Sequence, residues 1–145
     1  ALSVQNRVSG YKVKDDLLKM LKDDKNIEFQ DQIYYALGEI TFKERKYKEA
    51  LEYWDRSWKA STTNVKQKSK SFLRLAQYYF DQKLYNSAHI YYDSAVAVLP
   101  ANFPEAAQIK KTSADLDDLV LEVVDLEILR RSPILIKLTI IEDPP

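Results

Sequence analysis

The chain has 145 residues, enough for one domain with a real core, and its 22 lysines and arginines are matched by 22 aspartates and glutamates. A formal net charge of zero argues against nucleic acid or an anionic membrane surface as the main partner, because both require clustered positive charge. Cysteine is absent, which excludes disulfides, thiolate metal sites and cysteine nucleophiles, and no apolar run approaches the roughly 20 residues of a membrane span.

Two glycines among plentiful charged residues suit long helices with solvated faces. The sequence opens on Ala1 rather than Met and reads as an excised or processed piece. The first expected element is a helix over residues 9–25, where Val13, Leu17, Leu18 and Leu21 form an apolar stripe. It reads as an orphan second helix left from a preceding unit. Residues 26–63 form a first unit, with a helix from about Ile27 to Arg45, a turn at Lys46, and a helix from about Tyr47 to Ser61. Residues 64–101 form a second, with helices from about Val65 to Gln82 and Tyr85 to Leu99. Pro100 and Pro104 bracket the next loop, and Pro104 suits a helix start. Residues 102–131 are expected to form one capping helix, with Ile109, Leu116, Leu119, Val120 and Val123 against the second unit. The β-branched run Pro133–Ile141 makes residues 133–145 an extended tail.

The two units align residue by residue. Leu37 falls on Leu75, Gly38 on Ala76, Tyr47 on Tyr85, Ala50 on Ala88, Trp54 on Tyr92 and Ser57 on Ala95, an offset of 38 residues throughout. Asn26, Asn64 and Asn102 share that offset and are expected helix N-caps. The pattern resembles the tetratricopeptide repeat (TPR), in which small residues let two helices approach and large aromatics fill the adjacent gaps. Ala76, Tyr79, Ala88, Tyr92, Ala95 and Pro100 follow it fully, whereas Thr41, Ser57 and Thr62 depart from it. The period exceeds the usual ~34 by about one helical turn, expected at the start of each first helix. The expected fold is all-α: antiparallel helix hairpins stacked as a right-handed superhelix.

No catalytic constellation emerges. His89 is the sole histidine and is expected on a solvated side; Asp15-Asp16, Asp23-Asp24 and Asp117-Asp118 are neighbours on helices and point about 100° apart. No glycine-rich loop could cradle phosphate. No enzyme activity, cofactor or metal is therefore expected. Most of the ten tyrosines fall on packing positions. Tyr35 is an exception on the face of the first helices. That face is the candidate partner surface: Gln32, Tyr35, Glu39, Phe42 and Lys43 from unit one, and Lys70, Leu73, Arg74, Gln77 and Asp81 from unit two. Lys70 and Arg74, an i, i+4 basic pair, could grip a partner carboxylate or form an ordinary charged surface.

More specific stretches are Asp23-Asp24-Lys25-Asn26-Ile27-Glu28-Phe29-Gln30-Asp31-Gln32-Ile33-Tyr34-Tyr35-Ala36-Leu37-Gly38, Ser61-Thr62-Thr63-Asn64-Val65-Lys66-Gln67-Lys68 and Tyr91-Tyr92-Asp93-Ser94-Ala95. Over roughly Lys12 to Val124 they resemble the PorW/SprE lipoproteins of Bacteroidetes. That resemblance implies a role in type IX protein secretion and gliding motility, in the periplasm at the outer membrane, with secretion-machinery proteins as partners. The tail from Arg130 and the missing lipid-anchoring cysteine depart from the family's pattern. Two other readings stay open: a generic TPR adaptor that binds a peptide tail, and a recruiting domain of a larger enzyme. Self-association of the chain through its apolar ends is also expected.

Overall fold

The computed structural model describes residues 2–131. Six α-helices follow in order: α1 (Leu2–Lys22), α2 (Gln30–Lys43), α3 (Tyr47–Ala60), α4 (Val65–Asp81), α5 (Tyr85–Ala97) and α6 (Ala106–Arg131). A 3-10 segment, Asp24–Phe29, joins α1 to α2, and no strand occurs among the described residues. Each helix packs on its neighbour in chain order, and α2 also touches α4. Short turns force α2–α3 and α4–α5 into antiparallel hairpins, and the two hairpins stack with their first helices side by side. The fold is an all-α stack of hairpins.

Burial follows the 38-residue offset. Leu37 and Leu75, Ala50 and Ala88, Trp54 and Tyr92, Ser57 and Ala95, and Asp31 and Ser69 are all buried. Alanine at positions 50 and 88 is fully enclosed, so the helices of each hairpin approach closely there. Ser57, one departure from the repeat pattern, is accommodated by hydrogen bonds. Its Oγ donates to the Asp31 carbonyl at 2.6 Å and lies 2.7 Å from Ser71 Oγ. Ser61 Oγ donates to Asp31 Oδ2 at 3.1 Å, and Gln67 Nε2 donates to Ser71 Oγ at 3.2 Å. This network ties α2, α3 and α4 together without leaving those polar groups unpaired in the interior.

Both hairpin turns have the same geometry. Arg45 and Lys83, 38 positions apart, adopt left-handed backbone (φ 62° and 60°). Each closes its helix with a pair of backbone bonds: Lys46 N to Thr41 O and Arg45 N to Phe42 O, then Leu84 N to Tyr79 O and Lys83 N to Phe80 O. This is the Schellman arrangement, built on residues that bear side chains instead of glycine.

Several boundaries differ from the sequence expectation. The first helix begins at Leu2 and ends at Lys22, not at 9 and 25. The extra turn of unit one is the 3-10 segment, because the Asp23 side chain accepts from Lys25 N and tightens the entry. In unit two the extra turn is α-helical, and α4 runs for 17 residues against 14 in α2. Of the three asparagines only Asn64 caps, accepting from Gln67 N at 3.1 Å. Asn26 instead donates its side chain to Met20 O at 3.0 Å. Asn102 lies ahead of Pro104 and left-handed Glu105, which delay α6 until Ala106. Leu116 is buried and Ile109 packs beside it, but Leu119 is exposed. The tail 133–145 lies outside the described residues, as does the side chain of Val123.

Candidate functional site

The candidate surface is built where α2 and α4 run side by side. Residues 35, 39 and 42 of α2 and 70, 74, 77 and 81 of α4 recur at three- and four-residue spacing, which places each set on one helix face. Arg74 is its centre. Its Nε donates to Glu39 Oε1 at 2.6 Å, and its guanidinium lies 4.6 Å from the Trp54 ring and 5.1 Å from that of Phe42. It also donates from Nη1 to Gln77 Oε1 at 3.3 Å. Lys70 Nζ sits 4.9 Å over the Tyr35 ring. Burial holds the Tyr35 phenol above its ordinary pKa of 10.0, with the Glu39 carboxylate as a second cause.

One sequence reading needs correction, and one open alternative narrows. Leu73 is 7% exposed and belongs to the core with Phe72, Ala76, Ala88 and Tyr92, so it is not available to a partner. Arg74 is not a free cation waiting for a carboxylate, because Glu39 already occupies it and the aromatic rings hold it in place. Gln32 and Lys43 stand exposed on α2.

What remains open is a cleft of about 240 Å³ lined by Phe42, Arg74, Gln77, Tyr78, Phe80, Asp81 and Tyr92. Phe42, Arg74, Gln77 and Asp81 were legible as site residues from helical spacing. Tyr78, Phe80 and Tyr92 were not, because aromatics in a repeat read as packing. Phe80 is nonetheless 40% exposed, the one signal of a surface role. The cleft offers aromatic walls, an amide and a carboxylate, a combination suited to a peptide or protein segment.

A second cluster lies between α5 and α6. His89 does not point to open solvent: its ring faces Asp93 and Asp117, with Nε2 3.4 Å from Asp93 Oδ2 and Nδ1 2.8 Å from Asp117 Oδ1. Ser113 Oγ donates to Asp93 Oδ1 at 2.6 Å. Asp117 thus converges with residues of another helix and not with its neighbour Asp118. Its carboxyl is held above the ordinary range, first by partial desolvation and then by the Asp93 carboxylate, while His89 acts in the opposite direction.

Comparison with protein-family models and with curated proteins finds no match. Exposed apolar residues remain on α1 (Tyr11, Val13, Met20) and on the last turns of α6 (Leu126, Ile128, Leu129). Among the described residues no helix is long and apolar enough to cross a membrane.

Proposed function

We propose that the chain is a TPR-like scaffold that holds another protein through the α2/α4 face. Its setting in this reading is the type IX secretion and gliding machinery, at the periplasmic side of the outer membrane. The observation that carries the scaffold reading is the aromatic-walled cleft at the junction of the two first helices. The resemblance of the stretches around Asp23–Gly38 and Ser61–Lys68 to the PorW/SprE lipoproteins supports the setting. The pairing of Arg74 with Glu39 counts against a carboxylate clamp for a peptide tail, since the strongest cation of the face is already engaged.

The same pairing decides how the reading is tested. Reversing the charge of Arg74 would set a carboxylate against Glu39 and remove the stack on Trp54, so lost binding could reflect lost folding. Gln77 and Asp81 are exposed and line the cleft, and replacing either leaves the Arg74–Glu39 pair in place. A photo-crosslinking residue at Gln77 in the full-length protein is expected to capture a secretion-machinery component in envelope fractions. The same residue placed at exposed Lys59 on α3 is expected to capture much less. Capture from Lys59 but not Gln77 would move the binding face. Capture at Gln77 of a partner unrelated to secretion would keep the scaffold and discard the setting.

A further inference from the structure

We propose that His89, Asp93 and Asp117 form a binding site for a divalent cation of the Zn²⁺ type, which pins α6 onto α5. The site is distinct from the α2/α4 face. His89 and Asp93 are one turn apart on α5 and so share a face, while Asp117 is brought to them by α6. One ring nitrogen and one oxygen of each carboxylate lie within 4.8 Å of one another. The separation of Nε2 and Asp93 Oδ2, 3.4 Å, is close to the ~3.3 Å edge of a tetrahedron with bonds of ~2.0 Å.

The surroundings are those of a held ligand set. Ser113, one turn before Asp117 on α6, fixes the free oxygen of Asp93. Contacts of this outer kind orient ligating carboxylates. A cation needs only one ring nitrogen, and the other is then free to donate to a carboxylate, which fixes the ring. His89 Nδ1 and Asp117 Oδ1 face each other at 2.8 Å, both shielded from solvent, a pairing that holds the ring in place when the cation takes Nε2. With a neutral imidazole the three groups carry two negative charges and no positive one. An imidazole in the set, with only three protein ligands, favours a borderline transition metal with water in the fourth position over Ca²⁺ or Mg²⁺.

Because His89 is the sole histidine, its ring resonances report the site without ambiguity. In chelator-treated full chain, one equivalent of Zn²⁺ is expected to shift the His89 ring signals and to raise the melting temperature, while Mg²⁺ does neither. Asp117→Asn, which keeps the side-chain shape and removes a carboxylate that lies outside the apolar core, is expected to weaken Zn²⁺ binding by about tenfold or more in calorimetry. Unmoved ring signals at one equivalent of Zn²⁺ overturn the proposal. So does equal Zn²⁺ affinity in the parent and Asp117→Asn, which would leave His89 alone as an ordinary surface ligand. Should Asp117→Asn fail to fold, Ser113→Ala supplies the second comparison, and unchanged affinity there together with unmoved ring signals has the same consequence.

Discussion

Gly38 and Trp54 are fitted to each other as a pair. A Cβ at position 38 would fall on the indole of Trp54, 2.5 Å from Cδ1, and Trp54 is fully buried with no room to retreat. The equivalent pair in the second unit is Ala76 with Tyr92, one methyl larger and one ring smaller. Alanine is the better helix former by about 1 kcal/mol, so propensity alone predicts that Gly38→Ala stabilises. Overpacking wins: the variant is expected to lose about 1–3 kcal/mol in urea denaturation. Adding Trp54→Tyr, which copies the second unit, should recover part of that loss, and a double-mutant cycle reads the coupling directly. Additive losses would show that the two residues do not share one space. Glu39 shows how a site residue can look dispensable in a sequence. A glutamate on an open helix face reads as replaceable, yet here it neutralises a guanidinium that stacks on two aromatic rings. The partner on α4 that makes it structural lies 35 positions away.

At the scale of the element, helix centres and the starts of α3, α4 and α5 were legible, whereas the bounds of α1 and the starts of α2 and α6 were not. Apolar spacing located α2 through α5, because a packed face must recur every three or four residues. Ends depend on a few local hydrogen bonds, and there Asp23 displaced Asn26 as the cap while Glu105 delayed α6. The hairpin turns carry a testable cost. Arg45 and Lys83 hold left-handed backbone that L side chains adopt at about 1–2 kcal/mol, and both are exposed. Glycine removes that cost but gives the unfolded chain more freedom, worth about 0.4–1 kcal/mol. Arg45→Gly and Lys83→Gly are therefore each expected to stabilise by roughly 0.5–1 kcal/mol. A lower denaturation midpoint for either variant would mean that the side chain makes a contact outweighing the backbone strain.

At the scale of the molecule, the stacking of hairpins followed from one offset, whereas the His89 cluster did not. Its residues come from α5 and α6, and their convergence depends on how those two helices cross, which no spacing in the sequence encodes. The tyrosines also act at this scale. Tyr35 on α2 and Tyr91 and Tyr92 on α5 all have phenol groups held above the ordinary value of 10.0, in each case chiefly by burial. The folded chain keeps these protons to higher pH than the unfolded chain does. Their contribution to stability is thus complete below pH 10.0 and is lost as pH rises beyond it toward the folded values. The three sit in both hairpins, and Phe72 and Tyr79 link Tyr91 to the packing of α4. Ionising them should consequently open the stack as a unit and not fray one end. On raising the pH, helicity by circular dichroism is expected to fall together with the last phenolate absorbance to appear. Tyr92→Phe removes one of these groups, the one whose proton is also retained by the Asp81 carboxylate, and is expected to move the alkaline midpoint upward. If all ten tyrosines titrate in one step while helicity stays intact, burial is not what holds these three protons, and the coupling between hairpins is weaker than the packing implies.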